Sequence, residues 1–237
     1  MRRLLIATCL SLGFLAAPAH AQLSINFGGP GVNIGLNVGG YPNLVPVPGY
    51  PVYYAPGVDG NYFYYDGLYW VYQNDNWYES SWYNGPWTTV DPLEVPTFIL
   101  QVPVRYYRHA PAYFHGWSVN SAPRWGDHWG RGWVDHRQGW DRRVAHAPRP
   151  APLPTYQRQY SGNRYPTGQQ QSVIHSQNNH YQPRENVSRG QYQYHQNEAR
   201  RASPQQHVNP QNGAPARTPT TPRGQERNGG TGDNQRG

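Results

Sequence analysis

A mainly β fold, built as a small antiparallel meander of aromatic strands, is the class this chain predicts, and three observations lead there. Aromatic residues crowd one run, Tyr62-Phe63-Tyr64-Tyr65-Asp66-Gly67-Leu68-Tyr69-Trp70, and aromatic side chains favour strands. Asp66-Gly67 splits that run, and Asp-Gly supplies the positive φ angles that a two-residue hairpin turn requires. Further turn signals follow at short intervals, Asn74-Asp75 and Asn84-Gly85-Pro86. Consecutive strands joined by such tight turns pair without a crossover helix.

Strands are therefore expected at 62–65, 68–73, 76–80 and 87–90, within a unit spanning 59–104. Asp91-Pro92 ends the last strand, because proline has no N–H for the ladder. Segment 93–100 predicts a turn of helix over the sheet, limited by Pro96 and Pro103. Upstream, Val52-Tyr53-Tyr54 is a candidate further strand. In the Gly/Pro-rich segment 22–58, Val32, Ile34, Leu36 and Val38 alternate with Asn33, Gly35 and Asn37, the period-two pattern of one strand. Pro42, Pro46, Pro48 and Pro51 then predict an extended, polyproline-like connector.

A sheet this small needs a covered face, and segment 105–147 is the expected cover. It holds an imperfect repeat, Asp127-His128-Trp129-Gly130-Arg131-Gly132-Trp133 and then Asp135-His136-Arg137-Gln138-Gly139-Trp140. Its glycines disfavour regular helix, so irregular Trp/Gly-rich loops are expected to pack on the sheet. From 148 to 237 the chain is rich in Gln, Asn, Pro, Arg and Gly and has no Trp. Such composition predicts a long disordered tail, with Tyr156, Tyr160, Tyr165, Tyr181, Tyr192 and Tyr194 as isolated sticky points.

The N-terminus reads as an export signal. Arg2 and Arg3 precede an apolar stretch from Leu4 to Ala17, and Ala19-His20-Ala21 places small residues at the cleavage positions. That order is the grammar of a secretory signal peptide over 1–21, and the run is too short for a membrane-spanning helix. Maturation at Gln22 would leave a chain without Cys, Met or Lys. Disulfides, thiolate nucleophiles, Cys-ligated zinc and lysine Schiff bases are then excluded.

Charge runs from acidic to basic. Between 22 and 104 there are six acidic residues and no Arg, whereas the chain after 144 carries eleven Arg against four acids. A basic, flexible segment is an electrostatic arm for anionic envelope polymers or lipid headgroups, or simply a solvated tail. Export argues against an intracellular nucleic acid as partner.

Tyr64-Tyr65-Asp66-Gly67-Leu68-Tyr69-Trp70, Asn84-Gly85-Pro86-Trp87, the Val95-Pro96 and Val102-Pro103 pairs, and the Trp-Gly repeats resemble a group of exported proteobacterial proteins of uncharacterised function. The resemblance covers about residues 62–140 and implies export and a small β unit. It implies no activity and no catalytic residue.

Candidate chemistry is thin. Trp70, Trp77, Trp82 and Trp87 would form a stacking platform for a glycan if exposed, and a core if buried. His128, His136, Asp127 and Asp135 offer weak metal contacts, but their eight-residue spacing is not a ligand signature. Asp66, Asp75, Glu79 and Asp91 read as turn residues rather than a hydrolytic carboxylate pair. No nucleophile elbow, phosphate loop or dinucleotide fingerprint is present. The expectation is a non-catalytic, exported envelope protein, periplasmic or outer-surface, without a cofactor. A periplasmic metal-binding protein and a glycan-binding module are the alternatives.

Overall fold

A computed structural model describes residues 31–142 and 147–202. Six strands, β1 (Val45–Pro46), β2 (Val52–Tyr54), β3 (Asn61–Tyr65), β4 (Leu68–Gln73), β5 (Asn76–Ser80) and β6 (Thr88–Val90), form one antiparallel sheet in sequential order. Both tight turns carry positive φ at each central residue, Asp66 at 50° and Gly67 at 91°, then Asn74 at 50° and Asp75 at 62°. That twist matches the strands they join. Register follows directly, with Phe63 opposite Trp70 and Tyr72 opposite Trp77.

Every residue of β3 is buried, and so are the first five of β4. Successive side chains point to opposite faces, so burial without alternation means that both faces are covered. Phe63, Tyr65, Leu68, Trp70, Tyr72 and Trp77 belong to one core. Tyr62, Tyr64, Tyr69 and Val71 belong to the other.

The first face is closed mainly by 92–140, with Val47 and Tyr192 joining the same core. A 3-10 turn at Pro92–Glu94 leads into the short helix α1 (Thr97–Leu100), which buries Ile99 and Leu100. Then α2 (Trp125–His136) inserts Trp125 and Trp133. Trp125 is fully enclosed, donates its indole N–H to the Leu100 carbonyl at 3.0 Å, and meets Tyr72 edge-on at 5.1 Å. The expected irregular loops are thus helical here. Glycine still marks the segment, since Gly130 (φ 80°, ψ −178°) breaks α2 into two helical pieces.

The second face is closed from both ends of the described chain. Ile34 and Val38 are buried there, but 32–38 forms no strand; its ladder contact is a single bridge from Val32 to Trp87. Proline and glycine leave this segment extended and packed rather than laddered. The connector after it contributes β1, and Val52-Tyr53-Tyr54 is β2 as expected.

The boundary expected at 148 moves. Residues 147–202 are built into the fold, with α3 (Gly168–Asn178) and α4 (Asn186–Ala202) packed together. Tyr69 donates to Gln157 Oε1 at 2.8 Å, Tyr64 to the Pro152 carbonyl at 3.0 Å, and Tyr165 to the Gly85 carbonyl at 2.6 Å. Composition understated this segment because its order comes from hydrogen bonds that phenols make to backbone and side-chain acceptors, not from a core of its own. The signal segment, and the expected tail beyond 202, lie outside the described residues.

Candidate functional site

Asn61 and Tyr72 are partners in register, so the start of β3, the end of β4 and the Asn74-Asp75 turn share one end of the sheet. A cleft of about 530 Å³ opens there, lined by Leu36, Asp59, Asn61, Gln73, Asp75 and His109 among others. Buried Asn61 holds its wall. Its amide donates to the carbonyls of Tyr72 and His109, and its oxygen accepts the His109 N–H at 2.8 Å.

Two histidine–carboxylate pairs flank this cleft. His109 Nε2 lies 2.6 Å from Asp59 Oδ1, and that hydrogen bond holds the Asp59 carboxyl below its usual range. Asp75 Oδ1 accepts from Tyr72 at 2.6 Å and Tyr113 at 3.0 Å, and sits 2.7 Å from His128 Nε2. Burial opposes ionisation of Asp75, but those three contacts outweigh it and lower its pKa. The His128 ring lies flat on Tyr113, with centroids 3.9 Å apart.

A third pair sits deeper. Glu79, near the end of β5, is 1% exposed, and both its oxygens lie 2.7 Å from His195 Nε2 on α4. In each pair the carboxylate comes from the acidic segment 22–104 and the histidine from the covering chain after it. The arrangement fastens the cover to the sheet.

The expected site residues are dispersed. Trp70, Trp77, Trp82 and Trp87 are all buried, none more than 3% exposed. They present no face to a sugar, because the sheet is covered on both sides. Of the expected metal contacts, His128 turns to Asp75, and His136 Nδ1 meets the Gly132 carbonyl of its own helix at 2.8 Å. Asp127 pairs with Arg124 and Asp135 is exposed. Helix α2 separates them, and the described residues contain no group of three or more His, Cys, Asp or Glu placed to hold a metal. Of the acids read as turn residues, Asp66 and Asp75 are in turns and Asp91 caps the Pro92–Glu94 turn, whereas Glu79 is a buried strand residue.

No family model, curated protein or solved structure matches the chain.

Composition alone hid one polar centre. His175 on α3 is buried, with Nδ1 2.9 Å from Tyr156 OH and Nε2 2.7 Å from Tyr192 OH. Burial, with His195 adding to it, pushes the His175 pKa down to about 4, so the ring is neutral at pH 7. A local signal for its helix was present. Thr167 and Gln170 form a capping box, each side chain bonding the other's backbone N–H, a pattern that marks a helix start.

Around these centres the surface of 147–202 is basic. Arg149, Arg158, Arg164, Arg184, Arg189 and Arg201 are all exposed. Asp66 and Glu79 point inward instead. Asp66 accepts from the Tyr181 hydroxyl and from the backbone N–H groups of Arg184 and Glu185, just before α4.

Proposed function

We propose that this is a non-catalytic, exported cell-envelope protein that holds anionic envelope polymers through the arginines of its C-terminal region. The observation that carries the reading is the exposure of six arginine side chains over 147–202 beside the inward placement of Asp66 and Glu79. Because these two sheet acids face inward, they do not offset the guanidinium groups displayed over 147–202. Guanidinium groups pair with carboxylate and phosphate oxygens in two-pronged geometry. Arg217, Arg223, Arg227 and Arg236 continue the same charge as an arm. Support for export is the Arg2-Arg3, apolar, Ala19-His20-Ala21 pattern. No helix of the described residues is long and apolar enough to cross a membrane.

Binding to immobilised polygalacturonate, measured at about 50 mM and about 500 mM salt, tests the reading, since exposed charges are screened over shorter distances as salt rises. Binding is expected to fall steeply with salt, and to weaken both in Arg149→Gln/Arg158→Gln/Arg164→Gln and when the four arm arginines become Gln. Absent or salt-independent binding would overturn it. N-terminal sequencing of exported material is expected to start at Gln22, and intact Met1 would remove the envelope assignment.

A further inference from the structure

Between α3 and α4 lies a second cleft, of about 440 Å³, and every described side chain that lines it is uncharged. Five are amides: Asn179, Gln182, Gln193, Gln196 and Asn197. In a chain with a formal charge of +7, a polar cleft without an ionised wall is a distinct environment. We propose that it is a binding site for a neutral, hydroxyl-rich ligand, an uncharged oligosaccharide.

Its floor is built in advance. Tyr192 is buried at the base, and its hydroxyl lies 2.7 Å from His175 Nε2 and accepts from Asn179 Nδ2 at 3.2 Å. The Asn179 oxygen is in turn engaged by the Tyr181 N–H at 2.9 Å. The floor groups are therefore held before any ligand arrives, which lowers the ordering cost of binding. His175 beneath them is neutral at pH 7, so the floor carries no charge either.

The rim differs. Gln193 and Asn197 are exposed on successive turns of α4 and so share one face. A primary amide offers a carbonyl acceptor and two N–H donors, the complement of a sugar hydroxyl, which both donates and accepts. Among the described residues an anion would find no cation on these walls, and a cation no carboxylate. Arg189 and Arg201 stand one turn beyond Gln193 and Asn197 on α4 but do not line the cleft.

Amide-resolved NMR of the mature chain tests this with chitohexaose and maltohexaose as probes, up to about 10 mM, the range in which a shallow cleft binds. Shifts are expected to concentrate at 176–197 and to persist at about 0.5 M salt, where charge-driven binding is screened. Gln193→Ala/Asn197→Ala changes exposed side chains only, and is expected to keep the free spectrum while weakening binding about tenfold or more. The inference is overturned by absent shifts with both sugars, by shifts confined to the Asp59–His109 cleft, or by unchanged affinity in the double variant. Loss of the salt-sensitive polygalacturonate binding alone would leave it standing.

Discussion

His175 and Asp66 are single residues on which the C-terminal layer depends, and each makes a measurable prediction. His175 has its pKa lowered from 6.5 to about 4 by burial and by His195. Between those values the unfolded chain binds more protons than the folded one, so stability from this group is complete above the unfolded pKa and is lost as pH falls towards 4. The loss attributable to His175 is about 3 kcal/mol. Denaturation of the parent and His175→Gln at pH 7 and pH 4 should show their difference shrinking on acidification, with the imidazole signal titrating near 4. Glu185 works in the opposite sense, since burial raises its pKa and favours folding at low pH; the comparison with the variant isolates His175. Asp66 is buried and accepts from two backbone N–H groups and one phenol. Asp66→Ala should cost roughly 3 kcal/mol by stranding those donors, read as a lower urea midpoint and faster amide exchange at 184 and 185.

At the scale of elements, α2 shows how glycine serves a helix that propensity disfavours. Gly130 adopts φ 80° and ψ −178°, a region open essentially to glycine alone. The break lets Trp125 and Trp133, on either side of it, both reach the core. Gly130→Ala should destabilise by about 1–3 kcal/mol through backbone strain, although an added Cβ meets nothing within 4 Å. Gly132→Ala, also in open space but at ordinary φ, should be neutral or slightly stabilising by thermal melting, because alanine is the better helix former. Equal losses in the two variants would show that Gly130 φ is not what matters.

For the whole molecule, residues that close the second face come from segments far apart in sequence. Ile34, Val38 and Ala151 share one core with Tyr62 and Tyr69 of the sheet. A chain ending at Arg143 should therefore fail to fold, losing its near-ultraviolet circular dichroism and its cooperative melt. A chain ending at Ser203 retains every core residue of both faces and should melt within about 2 °C of full length, the range of a change of about 1 kcal/mol or less. Cooperative, native-like melting of the 143-residue chain would mean that the sheet is self-sufficient with one covered face.

Local chemistry alone determined the meander. Asp66-Gly67 and Asn74-Asp75 set the turns, β4 and β5 have the bounds expected of them, and Val52–Tyr54 joins the sheet. Turn conformation and strand preference are properties of neighbouring residues, so they are readable along the chain. What tertiary structure decided is everything that depends on distant partners. Trp70, Trp77, Trp82 and Trp87 became core instead of platform because covers arrive on both faces. Glu79 took a histidine 116 positions away, and a Gln/Asn-rich segment gained order through hydrogen bonds shared between tyrosines and the sheet. Composition counts what a segment can bury by itself; it cannot count what a neighbour far along the chain will bury against it.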